Sequence, residues 1–167
     1  MSVSGDFDFL LGRWRVANRK LRDPLDRDSD TWQEFESHVE NEAVLGGAGN
    51  VDHYHAPAFP GRPGYEALAI RLFVPSGRQW RIWWASTASD GELDTPVVGG
   101  FEGERGVFES DEVLDGQTVG VRYEWLDTGA ATPRWQQSFS FDERRKWKIN
   151  WTMTWHRDPV LQPTPRG

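Results

Sequence analysis

Phe9-Leu10-Leu11-Gly12-Arg13-Trp14-Arg15-Val16 stands near one end of this 167-residue chain, and Trp151-Thr152-Met153-Thr154-Trp155-His156-Arg157 stands near the other. From Gly12 the pattern has period two: Trp14, Val16 and Asn18 share one face, and Arg13, Arg15, Ala17 and Arg19 the other. A Gly-x-Trp heading a first strand and an Arg closing a last one can seal the end of a small closed β-barrel. The indole lies across the floor and the guanidinium stacks on it, a cation–π contact of roughly 0.5–2 kcal/mol. Parity agrees, because Arg157 falls on the same face of its strand as Trp151 and Trp155, the face that would look inward at Trp14. Gly12, Trp14 and Arg157 are therefore expected to close the barrel. Ahead of them, Asp6 to Leu11 begins with a capping-type Asp and predicts one short helical turn that plugs the same end.

Between these ends the chain alternates in short segments. Thr31 to Val39 sets Phe35, Ser37 and Val39 against Glu34, Glu36 and His38, an acidic face that complements the basic face of the first strand. Glu42 to Leu45 and Asn50 to His55 flank Gly46-Gly47-Ala48-Gly49, which lacks a phosphate-loop Lys and precedes no helical pattern, so it reads as a tight hairpin or bulge. The three prolines of residues 56–64 mark a loop long enough to cover a barrel mouth. Segments 66–74, 78–86, 97–102, 107–113, 118–126, 134–141 and 147–157 continue as a meander. Leu68, Ile70, Leu72 and Val74 share a face in the first of these, and Trp147, Ile149, Trp151, Met153 and Trp155 in the last. The expectation is an all-β chain: a single antiparallel up-and-down β-barrel of about ten strands over residues 1–157, then a disordered Pro-containing tail over 158–167.

The Phe-Leu-x-Gly-x-Trp start at Phe9 to Trp14, the late Arg157 and the Trp-rich strands between them resemble the calycin superfamily, the lipocalins and their relatives. More narrowly, the chain is similar to an uncharacterised bacterial family of lipocalin-like proteins. The resemblance implies a barrel that holds a small molecule inside it. The family more often carries an acidic residue where this chain has His53.

Composition narrows the partners. A net charge of −7 and a pI near 5.1 argue against nucleic acid, which is bound through clustered Lys and Arg. There is no cysteine, hence no disulfide, thiolate site or Cys nucleophile. No apolar run approaches a membrane span and no signal-type segment opens the chain, so a cytoplasmic location is expected. Ten Trp imply a core with polar handles or an aromatic-lined cavity.

On the inward parity, Trp84, Tyr123 and Trp151 would line such a cavity, with Asn18 and Gln137 as orienting polar groups. His53-x-His55 points two imidazoles to one face, where Glu40 or His38 could join them, and these histidines are expected near a loop mouth as ligand contacts rather than as a metal site. Arg71 and Arg122 sit mid-strand opposite the most regular apolar faces. They would bind a carboxylate or phosphate if a bulge turned them inward, and would otherwise pair outside with Glu66, Glu124 or Glu109. Asn150 has the same ambiguity. His156 has outward parity, against use as a haem ligand of the kind found in nitrobindin barrels. No Ser/His/Asp set or Gly-x-Ser-x-Gly is present, so no catalytic residue and no cofactor is assigned. The expected partner is a small hydrophobic or amphipathic molecule. An isomerase- or cyclase-type enzyme is the alternative, as is a homodimer formed through outward aromatics such as Trp83 and Phe73.

Overall fold

The computed structural model describes residues 2–159, so most of the segment expected to be a disordered tail lies outside the described residues. Ten antiparallel strands form one closed barrel: β1 Gly12–Leu21, β2 Trp32–Val44, β3 Gly49–Ala56, β4 Tyr65–Val74, β5 Gln79–Ser86, β6 Val97–Glu102, β7 Arg105–Leu114, β8 Gln117–Leu126, β9 Arg134–Ser140 and β10 Lys148–Arg157. Each strand pairs with its neighbours in sequence, and β10 returns to pair with β1, Trp14 lying opposite Arg157. Closure leaves no unpaired edge. The segments 31–39 and 42–45 join into one strand, because Asn41 continues the inward parity of Phe35, Ser37 and Val39.

One end is sealed by the chain's start. A 3-10 turn at Asp8–Leu10 carries Phe7 and Leu10 into the barrel, where Phe7 packs edge-on against Trp80 and Phe101, both at 4.9 Å. Asp6 does not cap this turn; its carboxylate accepts the Val3 amide and the Trp80 indole N–H. The Trp14 indole donates to the Leu10 carbonyl at 2.7 Å. The Arg157 guanidinium lies 3.9 Å from the Trp14 ring and donates to the carbonyls of Phe9 and Leu11. Gly12 has φ +106°, and a Cβ there would come within 2.9 Å of Arg157 Nη1, so two separate constraints call for glycine.

Outside, the basic face of β1 meets the acidic face of β2 in the exposed pairs Arg13–Glu40, Arg15–Glu36 and Arg19–Glu34. Such pairs contribute about 0–1 kcal/mol each and mainly favour the correct pairing. Strand β4 presents Tyr65, Ala67, Ala69 and Arg71 to the interior, while Leu68, Ile70 and Leu72 face outward, with no bulge in the strand. Phe73 follows the inward parity and packs on Trp80 at 5.4 Å, so of the two aromatics expected on an outer pairing face only Trp83 is there. In β10 a register shift between Ile149 and Trp151 turns Ile149 outward and buries Asn150. No helix among the described residues is long and apolar enough to cross a membrane.

Candidate functional site

The interior is layered along the barrel axis, and each layer follows from strand parity. Next to the plug, Arg71 from β4 ion-pairs with Asp52 from β3 at 2.7 Å and donates to Asn50 at 2.9 Å. Asn41 from β2 donates to both Asn50 and Asp52. Both charges are about 95 per cent buried, and the guanidinium also faces Phe7 at 5.2 Å. The cluster satisfies most of its own polar groups; among the described residues only Arg71 Nε and Asn41 Oδ1 in it are left without a partner. A void of about 30 Å³ adjoins it, between Arg71, Trp125 and Trp155.

In the middle layer Asn18 acts as a hub. Its carbonyl oxygen accepts from the Tyr54 hydroxyl at 3.0 Å and the Trp151 indole at 3.1 Å, and its amide donates to Ser37 and to the Val16 carbonyl. Because every one of these partners belongs to the protein, Asn18 fixes the Trp151 ring rather than offering itself to a ligand. Gln137 is likewise engaged through its amide, which donates to Asn150 at 2.8 Å, though it still lines the cavity above.

That cavity, about 240 Å³, occupies the end opposite the plug. Trp84, Tyr123, Trp135, Phe139 and Trp151 supply its walls, and Lys20, Ser110, Asp94 and Glu112 its polar groups. Trp84 is steadied by donating to the Tyr65 hydroxyl at 3.2 Å. Besides the loop between β5 and β6, which carries Asp94 and Thr95, two loops frame the mouth. Residues 57–64 bring Phe59 into a stack on Tyr65 at 4.1 Å, edge-on to Trp151 at 6.1 Å. The loop after β1, whose Pro24 lines the cavity, is held by Lys148, which donates to the carbonyls of Arg27 and Ser29.

Burial shifts Lys20 and Asp94 toward neutrality. It lowers Lys20, and it raises Asp94, with Glu112 nearby acting in the same direction. The Tyr123 and Tyr54 hydroxyls are pushed well above the ordinary tyrosine range, again chiefly by burial.

Trp84, Tyr123, Gln137 and Trp151 thus share one cavity, whereas the remaining candidates from the sequence lie elsewhere. His53 and His55 stand exposed on the outer face of β3, opposite Glu40 and His38 across the ladder and away from the cavity. Their parity is fixed by Asp52 and Tyr54, which occupy the inside. Arg122 is also outside, paired with Glu109 at 2.7 Å and stacked under Trp147 at 4.0 Å. Arg71 is inside although β4 has no bulge, and it belongs to the ion-paired cluster by the plug. His156 faces outward opposite Arg15. Sequence reasoning missed Lys20, Ser110, Asp94 and Glu112. The parity of Asn18 would have found Lys20, since the two are separated by one residue on a strand.

No family model matches the chain, and no curated protein matches it. Among solved structures, it is similar to the crystal structure of Rv2717c from M. tuberculosis, with a TM-score of 0.59 and 13% identity, covering 95% of this chain and 99% of that one. At that identity the likeness concerns the fold alone.

Proposed function

We propose that the protein binds a small apolar or amphipathic molecule in the cavity at the unplugged end of the barrel. The observation that carries this reading is the contrast between the two ends. One is filled by the chain's own Phe7, Leu10 and Trp14, and the other leaves about 240 Å³ between aromatic walls with a few polar groups. Aromatic walls with sparse polar handles are the usual make-up of a small-molecule site. That volume equals about eight waters at ~30 Å³ each, which suits a compact ligand and not a long acyl chain.

Native mass spectrometry of the purified protein, compared with its denatured mass, tests the reading. An added mass that leaves on unfolding supports it. A Val121→Phe variant, which places a ring in the cavity, should lose that mass and keep its melting temperature. Retention of the mass by this variant would move the ligand elsewhere.

An enzymatic reading has one specific support, the Asp94 carboxyl, raised by burial beside the aromatic wall. Turnover of the recovered ligand that is abolished in Asp94→Asn, with binding retained, would establish it.

A further inference from the structure

The polar groups of the mouth cavity are not scattered at random around it. Lys20 comes from the end of β1, whereas Glu112 comes from β7, four strands round the ring of ten, and Asp94 from the loop between β5 and β6. The cationic and anionic groups therefore stand on opposite walls. Among the described residues none of the three takes part in an ion pair. Lys20 rests its ammonium 5.3 Å from the centre of the Trp151 ring. Glu112 accepts only the Thr95 amide, at 3.1 Å, which leaves its other oxygen free among the described residues. Ser110, more than nine-tenths buried on the same wall as Glu112, has a hydroxyl with no hydrogen-bond partner among the described residues. Other buried and half-buried charges are paired, as Arg71–Asp52 and Arg122–Glu109 illustrate. Partly desolvated charges kept apart across an aromatic cavity cost free energy unless something bridges them.

We infer that the cavity selects a compact dipolar ligand, with an anionic group held by Lys20, a flat apolar body between the indoles, and a cationic group held by Asp94 and Glu112. This rests on the binding role proposed above and specifies its ligand class. The aromatic walls suit both the flat body and the cationic end, since an organic cation is also attracted to indole and phenol faces.

Four compounds built on one ring test the assignment by isothermal titration calorimetry on the intact protein. They are 4-(aminomethyl)benzoate with a charge at each end, 4-methylbenzoate, 4-methylbenzylamine and p-xylene. The doubly charged compound is expected to bind at least about tenfold more tightly than either singly charged one. Lys20→Met, which keeps the alkyl stem over Trp151, should erase the gain from the carboxylate. Glu112→Gln, which keeps an acceptor for Thr95, should erase the gain from the ammonium, and each variant should change the affinity for p-xylene less than that for the compound whose charge it faces. Equal affinity for all four overturns the dipolar assignment while leaving an apolar site in place. Binding of none by a cooperatively melting protein overturns the assignment, and a bare native mass beside it overturns the binding role as well. Selectivity that survives both substitutions places the recognising charges elsewhere and also overturns the assignment.

Discussion

Arg71 is the residue on which the interior makes its largest local commitment. A guanidinium this deeply buried persists only because Asp52 and Asn50 accept its hydrogen bonds and Asn41 in turn donates to both acceptors. Removing one member leaves the others without compensation in a medium where water does not reach them. Arg71→Met or Asp52→Ala alone should therefore destabilise by about 3–5 kcal/mol in urea denaturation. The double variant Arg71→Met/Asp52→Ala should cost less than the sum of its parts, and strict additivity would show that the pair is not coupled. The cluster was illegible in the sequence for a physical reason. An arginine set between Ile70 and Leu72 has the parity opposite to the apolar face and ordinarily faces water, and nothing local announces an aspartate 19 residues earlier as its partner.

At the scale of the strand, alternation revealed where the elements lie more faithfully than it revealed which face is inside. In β8 the large residues Tyr123 and Trp125 fill the interior, so the apolar face is also the inner one. In β4 the same rule fails: the aromatic side chains of β5 and β8 already occupy the space, and β4 contributes Ala67 and Ala69 inside while its branched residues stay outside. Packing volume, not hydrophobicity, chose that face. The β10 bulge has a similar origin, since one extra residue lets Trp151 and Asn150 both be buried.

Outer faces carry their own energetics, and the ladder across β7, β8 and β9 gives a measurable case. Burial works to raise Glu124, yet hydrogen bonds from Arg105 and Gln136 outweigh it and hold the carboxyl below its ordinary range. A carboxyl depressed in the folded state stabilises above its unfolded pKa and loses that contribution as pH falls through the folded value. Chemical denaturation followed from neutral to acid pH should therefore show a decline that Glu124→Gln makes shallower. An unchanged slope in the variant would remove Glu124 as its source.

For the molecule as a whole, the decisive contact joins the first strand to the last. The sealing of Trp14 by Arg157 was legible because parity, spacing and a known barrel device agreed, while the mouth was not, because Lys20, Asp94 and Glu112 come from three separated segments, one of them a loop without periodicity. Closure by β1 and β10 makes the two ends of the chain mutually dependent. Ending the chain before Lys148 should leave β1 and β9 each short of a neighbour, and near-ultraviolet circular dichroism should show no fixed aromatic packing; a native-like spectrum would mean the barrel closes another way. The same dependence sets an order of events in the cell. Phe9 leaves the ribosome 148 residues before the arginine whose guanidinium holds its carbonyl. At about 5–20 residues per second that interval lasts roughly 7–30 s. Throughout it the plug can reach only the strands already made, Trp80 and Phe101 among them, and its carbonyls stay unclamped until the last residues of the barrel are synthesised.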